Sequence, residues 1–118
     1  MIKHISIKTT GQGLHQITSQ IDHIIDQFCT NEGTSEGLCT IFLQHTSASL
    51  LIQENADPSA RQDLETWLNR LIPENDTLYT HTQEGPDDMP SHIKAALTAT
   101  MISIPIFDKK LALGIWQG

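Results

Sequence analysis

The sequence predicts a single-domain α+β fold, a mixed, mostly antiparallel β-sheet with about three helices. Three observations lead there. Segments of alternating apolar residues are interspersed with three stretches of helical periodicity. Several of the strand-like segments are joined by turns too short for a parallel crossover. A length of 118 residues provides one hydrophobic core and not two.

Residues 2–9 read as an opening strand with Ile5, Ile7 and Thr9 on one face, closed by the turn Thr10-Gly-Gln-Gly13. A second short strand follows near 14–17. Ile17, Ile21, Ile24, Ile25 and Phe28 then form one stripe of a helix spanning about 18–31. Ser19 with Asp22 resembles a capping box at its start, and Gly33 supplies its stop. In residues 38–44, alternation puts Cys39, Ile41 and Leu43 on one side of a strand, so that His45 ends a buried row. Residues 49–54 read as another strand.

Asp57-Pro58 starts the second helix, with Asp at the N-cap and Pro where its missing N–H costs nothing. Ala60, Leu64, Trp67, Leu68 and Leu71 make its apolar face, Trp67 being assigned to the core, and Pro73 ends it. Residues 76–82 have strand composition, with Tyr79 and His81 sharing a face. A Gly, two Pro and three carboxylates make residues 83–90 a loop, from which Pro90 opens a third helix to about Thr100. Ile93, Ala96 and Leu97 face inward from that helix. Ile102, Ile104 and Ile106 alternate in a further strand, residues 107–110 turn, and Leu111, Leu113 and Ile115 alternate in the last one. Trp116 opposes that parity, which places it on the other sheet face or in a subunit contact.

Charge and composition exclude several function classes. Seven Lys plus Arg against fourteen Asp plus Glu give a net charge of −7, which argues against nucleic-acid binding through a broad basic surface. No apolar run approaches the roughly 20 residues of a membrane-spanning helix. The polar, charged N-terminus lacks a secretory signal, so the cytoplasm is the default location. Cys29 and Cys39 show no Cys-x-x-Cys pattern and are expected as small core thiols rather than a disulfide.

The chemistry gathers elsewhere. His4, His15 and His23 lie in surface-like contexts, whereas His45-Thr46-Ser47, Glu54-Asn55, His81, Glu84, Asp87-Asp88 and His92 collect imidazoles and carboxylates at element ends. Imidazole and carboxylate suit a divalent metal, and a catalytic centre needs about three such ligands with an open position. His45, His81, His92 and Asp87 are the candidate ligands. No spacing such as His-Glu-x-x-His supports them, and the plain alternative is that each histidine hydrogen-bonds a neighbouring carboxylate. The start of the third helix offers a second reading, an anion site in which His92 donates to a phosphate. Asp88 caps that helix or, alternatively, one of Asp87 and Asp88 holds a metal that bridges to a diphosphate. Ser47 near His45 does not read as a nucleophile with its base, because adjacent residues on a strand point to opposite faces, and residues two apart, though on one face, come with no third group to orient them.

Three segments carry a resemblance. Phe42-Leu-Gln-His-Thr-Ser-Ala-Ser-Leu-Leu-Ile-Gln-Glu-Asn-Ala-Asp-Pro58, His81-Thr-Gln-Glu-Gly-Pro-Asp-Asp-Met-Pro-Ser-His-Ile-Lys-Ala-Ala-Leu97 and Lys110-Leu-Ala-Leu-Gly-Ile-Trp-Gln-Gly118 together resemble the YjbQ family, also called UPF0047. The resemblance runs in order over essentially the whole of residues 1–118 as one YjbQ-like domain. It implies a compact α+β homotrimer with a polar, histidine-containing pocket, and a secondary thiamine phosphate synthase activity. That transferase reaction couples a pyrimidine methyl diphosphate to a thiazole phosphate and expels pyrophosphate. By position, His45, Thr46, Ser47, Asn55, His81, Glu84, Asp87, Asp88 and His92 match the family's pocket. The family pattern continues past Trp-Gln-Gly with a further strand or two that this sequence is expected to lack.

The expected partner is therefore a small phosphorylated molecule, with no nucleic acid and no membrane, and the expected cofactor is a divalent metal, Zn, Mg or Mn. With few cations available, Arg61, Arg70, Lys94, Lys109 and Lys110 among them, a diphosphate leaving group calls for metal assistance. A metal- or anion-binding trimer without catalysis and a metal-assisted hydrolase are the alternatives. Convergence of His45, His81 and His92 separates a metal centre from scattered histidines.

Overall fold

Ile17, Ile21, Ile25 and Cys29 repeat every four residues, and this stripe sets the first helix, α1 (Thr18–Glu32), against the sheet. The computed structural model describes residues 1–118. The predicted capping box does not form: Ile17 occupies the N-cap with no side-chain bond. Asp22 is used otherwise, its Oδ1 accepting the Leu111 amide at 3.1 Å and tying α1 to the last strand. Gly33 closes the helix in the left-handed region at φ 66°, the conformation glycine adopts without a Cβ penalty.

The sheet has three strands in the order β1-β2-β3, antiparallel throughout: β1 (Gly37–Phe42), β2 (Met101–Phe107) and β3 (Lys110–Leu111). Cys39, Ile41, Ile102, Ile104, Ile106 and Leu111 point toward α1 and make the core with Ile21, Ile25 and Cys29. Both cysteines are free, and burial, followed by the nearby Asp22 carboxylate, pushes the Cys39 thiol up. Asp108 and Lys109 link β2 to β3 with φ 51° and 61°, the two positive φ values of a two-residue type I′ hairpin. β3 stops early for a local reason. Pro105 accepts from the Ala112 amide at 2.8 Å but has no N–H to return, so the ladder loses its next bond.

The second helix, α2 (Pro58–Leu71), begins as predicted, with Asp57 accepting from the Ser59 amide at 2.9 Å. The third, α3 (Asp88–Leu97), starts two residues before Pro90, which is tolerated because amides of a first turn have no intrahelical acceptor. It ends short of Thr100, where Thr98 leaves helical geometry and its hydroxyl caps the Lys94 carbonyl at 2.8 Å.

Several predicted strands and core positions are corrected. Residues 2–9 and 14–17 are not strands, because no neighbouring segment pairs with them. Residues 49–54 make isolated bridges only, Leu50 with Ala99 and Glu54 with Gln117. Residues 76–82 turn, because the Asp76 carboxylate captures the Leu78 amide at 2.9 Å. Beyond Leu111 the chain turns at Leu113, whose amide bonds back to the Leu111 carbonyl at 2.8 Å, so 111–115 is not one strand. Trp67 is 51% exposed, since no residue of α2 is buried, and Ala96 and Leu97 of α3 are likewise exposed.

Candidate functional site

Asp88 and His92 are the first and fifth residues of α3, four apart and therefore on one face. The loop before α3 brings His81 to the same face. Asp88 Oδ2 meets His81 Nε2 at 2.8 Å and His92 Nε2 at 3.0 Å, so that one carboxylate oxygen serves two imidazoles. The two rings are tilted by 59° with centroids 5.4 Å apart. One ligand atom from each residue lies within 4.8 Å of the others, the convergence that a shared cation requires.

The tautomer of His92 follows from its other nitrogen. Nδ1 lies 2.9 Å from the Thr46 carbonyl, which only accepts, so Nδ1 carries a hydrogen. Nε2 then faces an ionised carboxylate either as the second N–H of an imidazolium or as a lone pair shared with a cation. The Thr46 hydrogen bond, opposed by partial burial and aided by the charges of Asp88 and Glu84, raises the His92 pKa. Partial burial works to raise the pKa of Asp88, but the hydrogen bonds and charges of His81 and His92 outweigh it and leave it lowered. Without a metal, both shifts favour the charged pairing of His92 with Asp88.

The remaining predicted residues separate. His45 does not join the cluster: it lies beyond the end of β1, exposed, and its Nδ1 accepts the Ser47 amide at 2.9 Å in a local turn. Asp87 is the residue before α3 and is not in the group with His81, because its place outside the helix takes it off the face that Asp88 and His92 share. Glu84 is exposed and acts on His92 through charge alone. Asn55 belongs to the chain-terminal bridge, its amide donating to Trp116 at 2.8 Å. Ser47 does approach, its Oγ standing 3.5 Å from both Asp88 Oδ1 and His92 Nδ1. It lacks a base, since His92 Nδ1 is already donating to Thr46.

Two features of this centre were missing from the sequence reading. The spacing of Asp88 and His92 was the signal that favours Asp88 over Asp87 as a ligand. The Thr46 carbonyl had no signal, because any residue there carries one. Beside His81 lies a cavity of about 200 Å³ walled in part by Asp76, Tyr79, Thr82 and Met89.

Comparison with known proteins agrees with this architecture. A family model described as UPF0047 protein YjbQ-like matches residues 3–118. A UPF0047 protein of Synechocystis sp. is 48% identical over 112 residues, covering 95% of this chain and 74% of that protein. The UPF0047 protein YjbQ of Escherichia coli O157:H7 is 39% identical over 116 residues, covering 98% of this chain and 81% of its own length. Among solved structures, an uncharacterised YjbQ/UPF0047 protein of Clostridium acetobutylicum matches with a TM-score of 0.79 at 33% identity, covering 95% of this chain and 81% of that one. A YbjQ-like protein of unknown function from Sulfolobus solfataricus shares the fold, with a TM-score of 0.77 at 22% identity over 94% of this chain and 76% of its own. On the match over nearly its whole length, the chain belongs to the UPF0047 (YjbQ-like) family.

Proposed function

We propose that this chain holds a divalent transition metal through His81, Asp88 and His92 and acts with it on a small phosphorylated molecule. One observation carries the reading: a single oxygen of Asp88 faces two imidazole Nε2 atoms at 2.8 and 3.0 Å. The Thr46 carbonyl behind His92 adds the outer support that metal-binding histidines ordinarily have. Two nitrogens and one carboxylate oxygen suit zinc or manganese, whereas magnesium prefers oxygen ligands throughout. When bound, such a metal supplies positive charge for phosphate oxygens in a chain whose net charge is −7. Asp88 and the two histidines hold the centre, and Thr46 fixes the ring of His92 so that Nε2 faces inward.

Within the family resemblance, the reaction is the coupling of a pyrimidine methyl diphosphate to a thiazole phosphate. The carbon–oxygen bond to the diphosphate breaks, the thiazole nitrogen takes the carbon, and pyrophosphate leaves. The 200 Å³ cavity beside His81 lies below the roughly 300 Å³ at which pockets for drug-sized ligands begin. Two ring systems therefore need further walls, which the expected homotrimer would supply. The same small volume favours a second reading, metal-assisted hydrolysis of one small phosphate ester.

Zinc titration of purified, metal-stripped protein tests the centre. One zinc per chain is expected, with affinity lowered about a hundredfold or more by Asp88→Asn or His92→Ala and unchanged by His45→Ala or Asp87→Asn. Equal binding by all four variants overturns the assignment. Pyrophosphate release that needs both the pyrimidine diphosphate and the thiazole phosphate, and stops on chelation, supports the synthase. Release from the diphosphate alone supports the hydrolase, and release that is undiminished after thorough chelation sinks both.

A further inference from the structure

A second cavity, of about 660 Å³, shares no lining residue with the His81–Asp88–His92 centre. It lies between residues 7–20 and the first turns of α2. Its wall inverts the charge of the protein. Lys8 and Arg61 line it against one carboxylate, Glu65, although the chain has fourteen acidic residues to seven basic ones.

That carboxylate is already engaged. Glu65 Oε1 accepts the Leu14 amide at 2.7 Å and so holds the N-terminal segment onto α2. Gly13 allows the approach: its φ is 143°, and a Cβ there would lie 3.0 Å from the same oxygen. The donors, in contrast, are free. The two ion pairs in the chain both belong to Asp88, so neither Lys8 nor Arg61 is paired. The side-chain amides of Gln16, Gln20 and Gln62, which line the same wall, have no hydrogen-bond partner within the chain either.

We propose that this cleft is an anion site for a phosphoryl group, either free phosphate or the phosphate of a small molecule. Two cations and three amide side chains supply more donors than a flat carboxylate uses, and they suit a tetrahedral group with three exposed oxygens. The Arg61 guanidinium offers a planar fork for two of those oxygens, and Lys8 supplies a point charge. The site is independent of the metal centre and stands whether or not His81, Asp88 and His92 hold an ion.

Calorimetric titration in the presence of EDTA, which takes the metal centre out of play, tests it with pyrophosphate, inorganic phosphate, ribose 5-phosphate and succinate. Saturable binding of the phosphates ahead of succinate is expected. Tighter binding of ribose 5-phosphate than of inorganic phosphate identifies an organic phosphate as the ligand, and the reverse identifies the free ion. Arg61→Gln and Lys8→Gln each weaken phosphate binding about tenfold, the loss of one charge-assisted contact. Arg61→Lys, which keeps the charge and loses the fork, weakens it less than Arg61→Gln does, and zinc affinity is the same in all three variants. Unchanged phosphate affinity in Arg61→Gln, succinate bound as well as phosphate, or no phosphate binding by the wild-type protein overturns the proposal. If circular dichroism shows Arg61→Gln unfolded, Arg61→Lys and Lys8→Gln decide the matter alone.

Discussion

The hydroxyl of Ser47 stands 3.5 Å from Asp88 Oδ1, at the outer limit of a hydrogen bond and on the carboxylate oxygen that the two imidazole Nε2 atoms do not use. In that position it orients the carboxylate rather than attacking a substrate. Outer partners of metal ligands are worth about ten- to a hundredfold in affinity. Ser47→Ala is therefore expected to weaken zinc binding about tenfold, measured by competition with a chromophoric chelator, while leaving the far-UV spectrum unchanged. Thr46→Ala is expected to bind zinc as the wild type does, because the carbonyl that fixes His92 belongs to the backbone and survives the substitution. A large loss in Thr46→Ala would transfer the role to its side chain and remove the tautomer argument. At this scale the sequence exposes ligand types well and their selection poorly. Imidazoles and carboxylates at element ends marked the right neighbourhood, and helical spacing distinguishes Asp88 from Asp87 once the helix start is known. Pro90 marks a start two residues later than the real one at Asp88, and a helix begun at Pro90 leaves Asp88 outside the face it shares with His92.

Among the elements, the helices were legible and most strands were not, for one physical reason. A helix closes its hydrogen bonds within its own segment, whereas a strand exists only if a partner lies alongside. Residues 2–9 carry the alternation of a strand and remain unpaired, while 101–107 carry the same alternation and pair on both sides. Local devices behave predictably by the same logic. The β2–β3 turn puts Lys109 at φ 61°, where a side chain is strained and glycine is not. Lys109→Gly should stabilise the protein by about 0.5–1 kcal/mol, seen as a raised urea midpoint with an unchanged slope. An unchanged or lowered midpoint counts against the turn assignment. Asp57 gives the corresponding test at the start of α2. The Ser59 amide, then the Ser59 hydroxyl, hold its carboxyl below the ordinary range, so its folded pKa is the lower one. Its stabilisation is present above the ordinary carboxylate pKa of about 3.8 and is lost as pH falls through the lowered folded value. Asp57→Ala should accordingly be less stable than wild type near neutrality, with the two converging in strong acid, as thermal melts across pH would record. A constant difference at all pH values would mean that the cap does not act through its charge.

Over the whole molecule, burial is sparse. Nine of 118 residues are buried, and the radius of gyration is 16.4 Å where a compact chain of this length has about 13.5 Å. The sheet accounts for part of this, since α1 covers one face and nothing covers the other. On that bare face Leu38 lies opposite Pro105, Phe42 opposite Met101, and the Thr40 and Ser103 hydroxyls bond at 2.8 Å between them. Leu38, Phe42, Met101 and Phe107 are each at least 60% exposed. Contiguous apolar surface of this kind on a small domain marks a contact, and cyclic assembly buries it at no cost in new sequence. The alternation of β1 and β2 contains this information, because the outward parity of each strand is apolar except for Thr40 and Ser103, where an ordinary one-sided sheet has a polar face. A homotrimer, proposed here on the family resemblance, would supply the cover. Light scattering on the purified protein should return three times the mass of one chain, and Phe42→Asp combined with Phe107→Asp should return the mass of one. The charges lie on the uncovered face, away from α1, so the helical circular dichroism of the double variant should persist even as its melting temperature falls. A wild-type chain that stays monomeric at micromolar concentration rules the trimer out. A variant that stays trimeric moves the contact to the other exposed apolar residues, Trp67, Leu71 and Leu97 on the helices.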